Sequence, residues 1–279
     1  MAYFFWEDDG VLLLVDEFEP DFVPLFRALP SNVERADVFR ILVLKWFGGI
    51  ETQYADVDTQ PLRKPSSWIP ASDLTPWVDP VTDMKFSSDN EVGIILGIEA
   101  DCSPEKDDYW RMGYSYPIQL TQWALASMPG HPVLLRFMDV LQHTLNDVAG
   151  RNKGNITSIE AAKELQQIGP LSLTGPVAIT IAAMDWLEKK AALRWNALTG
   201  LLDDGRSKLV DDVLILSITG FSPGRGRYGN MGSKPVTDPS ARVQHLAQGS
   251  WRFFDAKVEF GKFCRSAFGL CKDWSKQPG

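Results

Sequence analysis

Apolar and polar residues along this chain follow two different periods, and segments of each kind alternate from one end to the other. Residues 11–15 form a short apolar run ending at Asp16, and its length alone leaves open a strand or a buried helix. Pro30 then precedes Ser31-Asn32-Val33-Glu34, a capping box in which Ser31 caps a helix start while Glu34 reaches back. That helix should run to about Phe47, with Gly48 and Gly49 as its stop. Residues 54–59 alternate in the strand manner, and residues 92–98 read as a buried strand. The spacing predicts a helix over 118–127, closed by Pro129-Gly130, and another over about 132–148. In the second, Leu134, Met138, Leu141, Leu145 and Val148 share one stripe, which is core. Thr157 and Glu160 form a second capping box. Pro176 suits the first position of a helix reaching about Lys190. A strand over 213–218 feeds a loop from Gly220 to Gly232, which holds five glycines with Arg225 and Arg227.

Such alternation favours an α/β fold, a sheet covered by helices. No Pro-, Gly- and Ser-rich linker or internal repeat divides the 279 residues, so a single domain over 1–279 is expected. Hydrophobic residues at 44% and charged residues at 23% exclude disorder as the dominant state. With 28 basic against 36 acidic side chains, a net charge of −8 argues against a nucleic-acid groove. The longest apolar runs break at Asp16 and Asp185, short of the ~20 residues that span a bilayer, and the chain reads as soluble. Cys102, Cys264 and Cys271 are too few and scattered for a zinc site or a disulfide framework. Cys264 and Cys271 can pair if the tail folds back, but buried free thiols are the expectation. Asn155-Ile156-Thr157 is a glycosylation sequon, used only on the secretory route.

Candidate chemistry begins on the Ser31 helix. Its surface is mostly apolar, and Asp37 and Arg40 interrupt it on one face. They form either an ion pair at the edge of the buried surface, favoured by the spacing alone, or a polar pair aimed into a ligand cleft. In Tyr54-Ala55-Asp56-Val57-Asp58, strand alternation turns Tyr54, Asp56 and Asp58 to one side. Two such carboxylates can reach one hard cation, magnesium or manganese. A metal there would grip a diphosphate and neutralise charge as it leaves. His245 can add a nitrogen ligand, and Trp251 can cover a base or sugar ring. His143 reads as an ordinary helix residue and His131 as a residue that shapes its turn. Arg225 and Arg227 belong either to a phosphate-wrapping loop or, more simply, to a surface loop.

The run from Leu29 to Arg40, then Gly48-Gly49-Ile50 and Tyr54-Ala55-Asp56-Val57-Asp58-Thr59, resembles glycosyltransferase family 32. Among its branches the sequence is most similar to the fungal initiation-specific α-1,6-mannosyltransferases. Gly97-Ile98-Glu99-Ala100-Asp101, Gln122-Trp123, Pro129-Gly130-His131-Pro132 and Thr174-Gly175-Pro176 match in the same order. So do residues 218–223, and His245 with Gly249-Ser250-Trp251; beyond about residue 251 a tail, 252–279, carries no likeness. The resemblance implies a GT-A-type, Rossmann-like nucleotide-sugar domain. Asp37, Arg40 and Tyr54 would face the donor, Asp56 and Asp58 the ribose, metal and diphosphate, His245 the metal, and Trp251 the donor pocket. Gln122 and Glu99 are candidates near the sugar.

The implied cofactor is Mn2+ or another divalent cation, the donor GDP-mannose, and the acceptor an α-mannose of an N-glycan core. The reaction retains configuration and makes an α-1,6 linkage. The implied place is the Golgi lumen, anchored to the membrane, with a mannosyltransferase complex as a possible partner. Alternatives are a non-catalytic relative that binds a partner or glycan, or a family member with a sphingolipid acceptor. Three departures stand out. Glu51-Thr52-Gln53 separates Gly-Gly-Ile from the tyrosine of the metal motif. Ile41 replaces a tyrosine after the helix arginine. The start, Met1 to Asp9, reads as the family's second strand region, with the anchor, stem and first sheet strand expected to be absent.

Overall fold

The computed structural model describes all residues except 1–3, 5, 57, 88, 104, 107, 225–230, 247–255 and 272–279. The apolar run near the start is helical: α1 spans Asp8–Phe18. Val15 is buried while Leu13 is 72% exposed, so the apolar run wraps around a helix with only part of it turned to the core. Of the strand region expected over 1–9, Asp8 and Asp9 instead form the first turn of this helix, acids that suit a helix N-terminus, while residues 1–3 and 5 lie outside the described residues. After α2 (Val23–Ala28), α3 spans Asn32–Phe47 as the capping box predicts. Ser31 Oγ accepts from Val33 N (3.2 Å), and Glu34 reaches back to the Ser31 hydroxyl. Gly48 ends α3 where a Cβ would lie 2.3 Å from the carbonyl oxygens of both Leu44 and Ser127. Only glycine lets the helix end press against the sheet there.

The strands follow as β1 (Gly49–Ala55), β2 (Thr59–Pro61), β3 (Trp77–Val78), β4 (Lys85–Phe86), β5 (Ile94–Asp101), β6 (Ile118–Leu120) and β7 (Ala124–Ser127). Then come α4 (Pro132–Arg151), α5 (Ile159–Ile168), α6 (Pro170–Leu173) and α7 (Pro176–Ala191). The chain closes with β8 (Lys208–Val210), β9 (Val213–Leu216), α8 (Ile218–Phe221), β10 (Val243–His245) and α9 (Ala256–Phe268). A six-stranded sheet runs β1-β7-β5-β9-β8, with β6 also on β5. It is mixed: β5 and β9 are parallel, and the other pairs are antiparallel. Alternation sorts β5 and β9 between two cores. Ile94, Leu96, Ile98, Val213 and Ile215 face the larger core with α3, α4 and α7. Ile95, Leu214 and Leu216 face a smaller one with Trp68, Trp123, Phe221 and Val243. Strands buried on both faces read as continuous apolar runs.

That same ambiguity overturns the helix expected over 118–127. The segment is two strands, β6 and β7, both paired with β5. A run buried on every side carries no period to separate helix from strand. The second capping box also shifts by one residue: Ser158, not Thr157, caps α5 by accepting from Ala161 N (3.1 Å). Thr157 instead turns its hydroxyl to Asn155 Oδ1 (2.8 Å), within the exposed sequon loop. Cys264 and Cys271 form a disulfide, against the expectation of free thiols; a glycine turn after α9 brings them together. Cys102 is a buried free thiol. By length and composition Pro170–Ala191 would suit a membrane span. It is broken into α6 and α7, and more than half of it is buried, chiefly against α4 and β6.

His131 shapes its turn as the sequence suggests. It caps α4 by accepting at Nδ1 from Val133 N (3.2 Å), and its Nε2 lies 3.3 Å from Asp212 Oδ2. Burial holds its pKa below the ordinary 6.5 despite Asp212. His131→Ala is expected to cost about 1–2 kcal/mol at pH 8, the usual worth of a cap. Because the folded pKa is lowered, this contribution is present above 6.5 and fades as the pH falls through that value. Urea denaturation at pH 8 and pH 5 should therefore show the gap between wild type and variant narrowing in acid. A constant gap would refute the assignment.

Candidate metal and donor site

The site begins with α3, whose apolar surface buries it and carries Asp37 and Arg40 inward with it; they are only 7% and 6% exposed. Arg40 Nη2 lies 3.0 Å from Asp37 Oδ1 and 3.0 Å from Asp56 Oδ1. Its Nη1 donates to the Gln122 carbonyl (2.7 Å), and its guanidinium carbon sits 4.9 Å from the Tyr54 ring centre. Thr174 Oγ1 donates to Asp37 Oδ2 (2.9 Å). The pair is therefore both an ion pair and part of a larger polar cluster that reaches the metal motif.

Strand alternation does not bring the two carboxylates of the motif together; a turn does. β1 ends at Ala55, with Ala55 paired to Ala124 and Asp56 N donating to Trp123 O (2.9 Å). Thr59 N then closes on Asp56 O (3.0 Å), which folds Asp58 back. β2 pairs with β10 in a register that sets Thr59 against His245, and Leu246 N donates to Asp58 O (2.8 Å). His245 Nε2 thus stands 3.2 Å from Asp58 Oδ1, with its ring stacked on Trp123 at 4.6 Å. One ligand atom each from Asp56, Asp58 and His245 lies within 4.8 Å of the others.

Glu51-Thr52-Gln53 falls in a bulge of β1. Gly49 pairs with Ser127 and Gln53 with Ala126, so four steps along β1 (49 to 53) match one along β7 (127 to 126). The excess of three equals the three intervening residues. Tyr54 and Ala55 return to register against Leu125 and Ala124, and Asp56 keeps its bond to Trp123. Bulges take up extra residues in this way and re-aim the side chains beyond them.

The electrostatics favour a cation. Burial drives the Asp37 carboxyl up to about 6 even though Arg40 and Thr174 pull it down. Burial likewise raises Asp56 against the pull of Arg40, and drives the Tyr54 hydroxyl up to about 12. For Arg40, burial disfavours the charge, but Asp56 and Asp37 outweigh it and hold the group above its ordinary value. One guanidinium shared by two carboxylates, with a third at Asp58, leaves negative charge over. Two carboxylate oxygens and one imidazole nitrogen suit manganese or magnesium, so the residues fit a divalent ion. Arg40 Nε and Gln122 Oε1 are buried without a hydrogen-bond partner among the described residues. Such open polar atoms at the centre of a cluster are groups a polar ligand would complete.

Of the residues singled out from the sequence, Asp37, Arg40, Tyr54, Asp56, Asp58, Gln122 and His245 come together. Glu99 is half-buried on β5 and accepts from Gln119 Nε2 (3.0 Å). Trp251, Arg225 and Arg227 lie outside the described residues. His143 is exposed beside Asp147 on α4. Thr174 and Trp123 went unassigned as site residues: each stood within a motif but has no chemistry that spacing could expose.

Residues 1–75 match the family described as glycosyltransferase sugar-binding region containing DXD motif. The chain is 36% identical over 230 residues to the initiation-specific alpha-1,6-mannosyltransferase of Schizosaccharomyces pombe, covering 81% of this chain and 49% of that one. To the Candida albicans protein of the same name it is 31% identical, covering 84% and 57% respectively. To that of Saccharomyces cerevisiae it is 24% identical, covering 88% and 69%. The chain thus spans about half the length of the first two relatives. A solved structure, PaToxG glycosyltransferase, matches with 16% identity and a TM-score of 0.35 over 68% of this chain and 48% of that one, too slight a likeness to carry an argument. With the DXD motif of that region in place, the chain carries a glycosyltransferase sugar-binding region of the family-32 type, and its likeness to the alpha-1,6-mannosyltransferases runs over most of its own length.

Proposed function

We propose that the chain is a metal-dependent retaining mannosyltransferase of GT-A type, which moves mannose from GDP-mannose to an α-mannose of an N-glycan core in α-1,6 linkage. The observation that carries this reading is the convergence of Asp56, Asp58 and His245 within 4.8 Å. Asp56, Asp58 and His245 would hold the divalent cation, Mn2+ by preference. Bound there, it supplies charge to neutralise the GDP leaving group. The rest falls to side chains. Arg40 fixes Asp56 and, with Asp37 and Tyr54, walls the donor side. Gln122 presents its open Oε1 to the sugar, Glu99 stands as the second candidate there, and Trp251 covers the donor.

No side chain in the cluster is a free nucleophile, so departure and attack on one face fit best, with oriented dipoles holding the developing charge. The insertion that favoured a non-catalytic relative is absorbed in the β1 bulge and leaves the motif in register. Calorimetry of GDP with and without Mn2+, followed by transfer from GDP-mannose to an α-mannoside, tests the proposal. A folded preparation that does neither would sink it.

The proposed place is the Golgi lumen, as a membrane-anchored protein and a possible partner in a mannosyltransferase complex. The Cys264–Cys271 disulfide supports it, since such bonds persist in oxidising compartments. Made on that route, the protein should carry a glycan on exposed Asn155, read as a mobility shift removed by an endoglycosidase and absent in Asn155→Gln.

A further inference from the structure

Asp37 is held from two sides. Arg40 takes one carboxylate oxygen, Oδ1, and the Thr174 hydroxyl takes the other, Oδ2, at 2.9 Å. Thr174 is 0% exposed and sits in the tight junction between α6 and α7. Thr174 N donates to Pro170 O (3.1 Å), and a Cβ at neighbouring Gly175 would meet the Leu171 Cα at 2.9 Å. The hydroxyl therefore projects from backbone that has little room to move. Its proton can go to Asp37 Oδ2 at 2.9 Å or to Pro170 O at 3.4 Å. The nearer, charged acceptor takes it.

The same Arg40 nitrogen that meets Asp37 Oδ1 also meets Asp56 Oδ1, so Asp37 joins the Gln122 carbonyl on Arg40 Nη1 in setting where Asp56 is held. A continuous line of polar contacts runs from the α6–α7 junction through α3 to the turn after β1. We propose that Thr174 is a positioning residue for the Asp56–Asp58–His245 cluster, acting through Asp37 and Arg40. This rests on the reading of that cluster as the metal site. Without the hydroxyl, Asp37 Oδ2 is left unpaired in a buried place, and the carboxylate turns to find another donor. Arg40 then follows it, and Asp56 loses its fixed orientation. Partners one step removed from a metal commonly change affinity in this way.

Thr174→Val keeps the shape and removes the hydroxyl; Thr174→Ser restores it. The expected result is a GDP–Mn2+ dissociation constant raised about 10–100-fold in Thr174→Val, and within about twofold of wild type in Thr174→Ser. A purely structural role would lower the unfolding midpoint and spare affinity in the folded fraction. Wild-type affinity in folded Thr174→Val overturns the proposal, as does equal weakening in both variants. If Thr174→Val does not fold, Thr174→Ala replaces it with the same two outcomes. A crystal structure of the variant gives a readout that does not depend on the metal reading. Loss of the 3.0 Å Arg40–Asp56 contact is expected, and its survival overturns the proposal. Failure of wild type to bind GDP–Mn2+ would count instead against the metal reading, leaving the crystal structure to judge Thr174.

Discussion

Replacing Asp58 by alanine should lower mannosyl transfer by about 10²–10³-fold while leaving the fold intact. Charge stabilisation at a metal site is worth several kcal/mol, and each ~1.4 kcal/mol is a factor of ten in rate. The fold should survive because the carbonyl of Asp58 accepts from Leu246 N at 2.8 Å, a bond alanine also makes, and the side-chain contact it gives up, with His245 at 3.2 Å, is partly exposed. The side chain is partly exposed, at 22%, and its charge repels that of Asp56. Removing it relieves that repulsion and gives up the contact with His245, effects of opposite sign that are each small at a partly exposed site, so the unfolding midpoint should stay level. Asp58→Asn preserves size and loses charge, and should fall nearly as far in transfer. Rates with GDP-mannose at saturating Mn2+, set beside thermal melts, check both halves. Wild-type transfer in Asp58→Ala would remove the metal pair from the mechanism.

The sequence made the polar cluster legible because its residues are chemically marked. Asp37 and Arg40 break an apolar helix, and two aspartates flank a single residue; both patterns survive any error in placing elements. What misled was burial on every side. Over 118–127 the chain is enclosed, and even its polar residues Gln119, Thr121, Gln122 and Ser127 are buried, so they mark no solvent face, and two strands read as one helix. Residues 11–15 left strand and buried helix open, and the helix is what forms: five consecutive apolar residues wrap more than one helical turn and declare no period. The turn that folds Asp58 onto His245 was out of reach for a different reason. It depends on β2 pairing with β10, a contact between residues far apart in sequence that no local pattern encodes. The role of Thr174 is hidden likewise, since its hydroxyl serves Asp37, a residue 137 positions away.

That long-range pairing has its own anchor, and breaking it should produce the largest loss of stability. Arg242 precedes β10 and is 2% exposed; it pairs with Asp73, and its Nε donates to Trp68 O at 3.0 Å. Its backbone donates to Gly220 O and accepts from Leu62 N, at 2.9 and 2.8 Å, which ties β10 to β2 and α8. Burial works against both charges, raising the carboxyl pKa of Asp73 and lowering the Arg242 pKa. The pair as a whole therefore contributes little net stability, whereas removing one partner strands the other. Arg242→Met should cost about 3–5 kcal/mol in urea denaturation. Adding Asp73→Leu removes the stranded charge and should recover a large part of that loss, because a buried ion pair can be replaced by well-packed apolar groups. The double variant also separates two ways of placing His245. Its register opposite Thr59 is made by backbone bonds that neither substitution touches, so GDP–Mn2+ affinity should return with the fold. A double variant that refolds but binds the nucleotide weakly would mean that the Arg242 side chain, beyond its backbone, aims His245 at the carboxylates. A single variant costing less than about 1 kcal/mol would show that the pair is reached by water and anchors nothing.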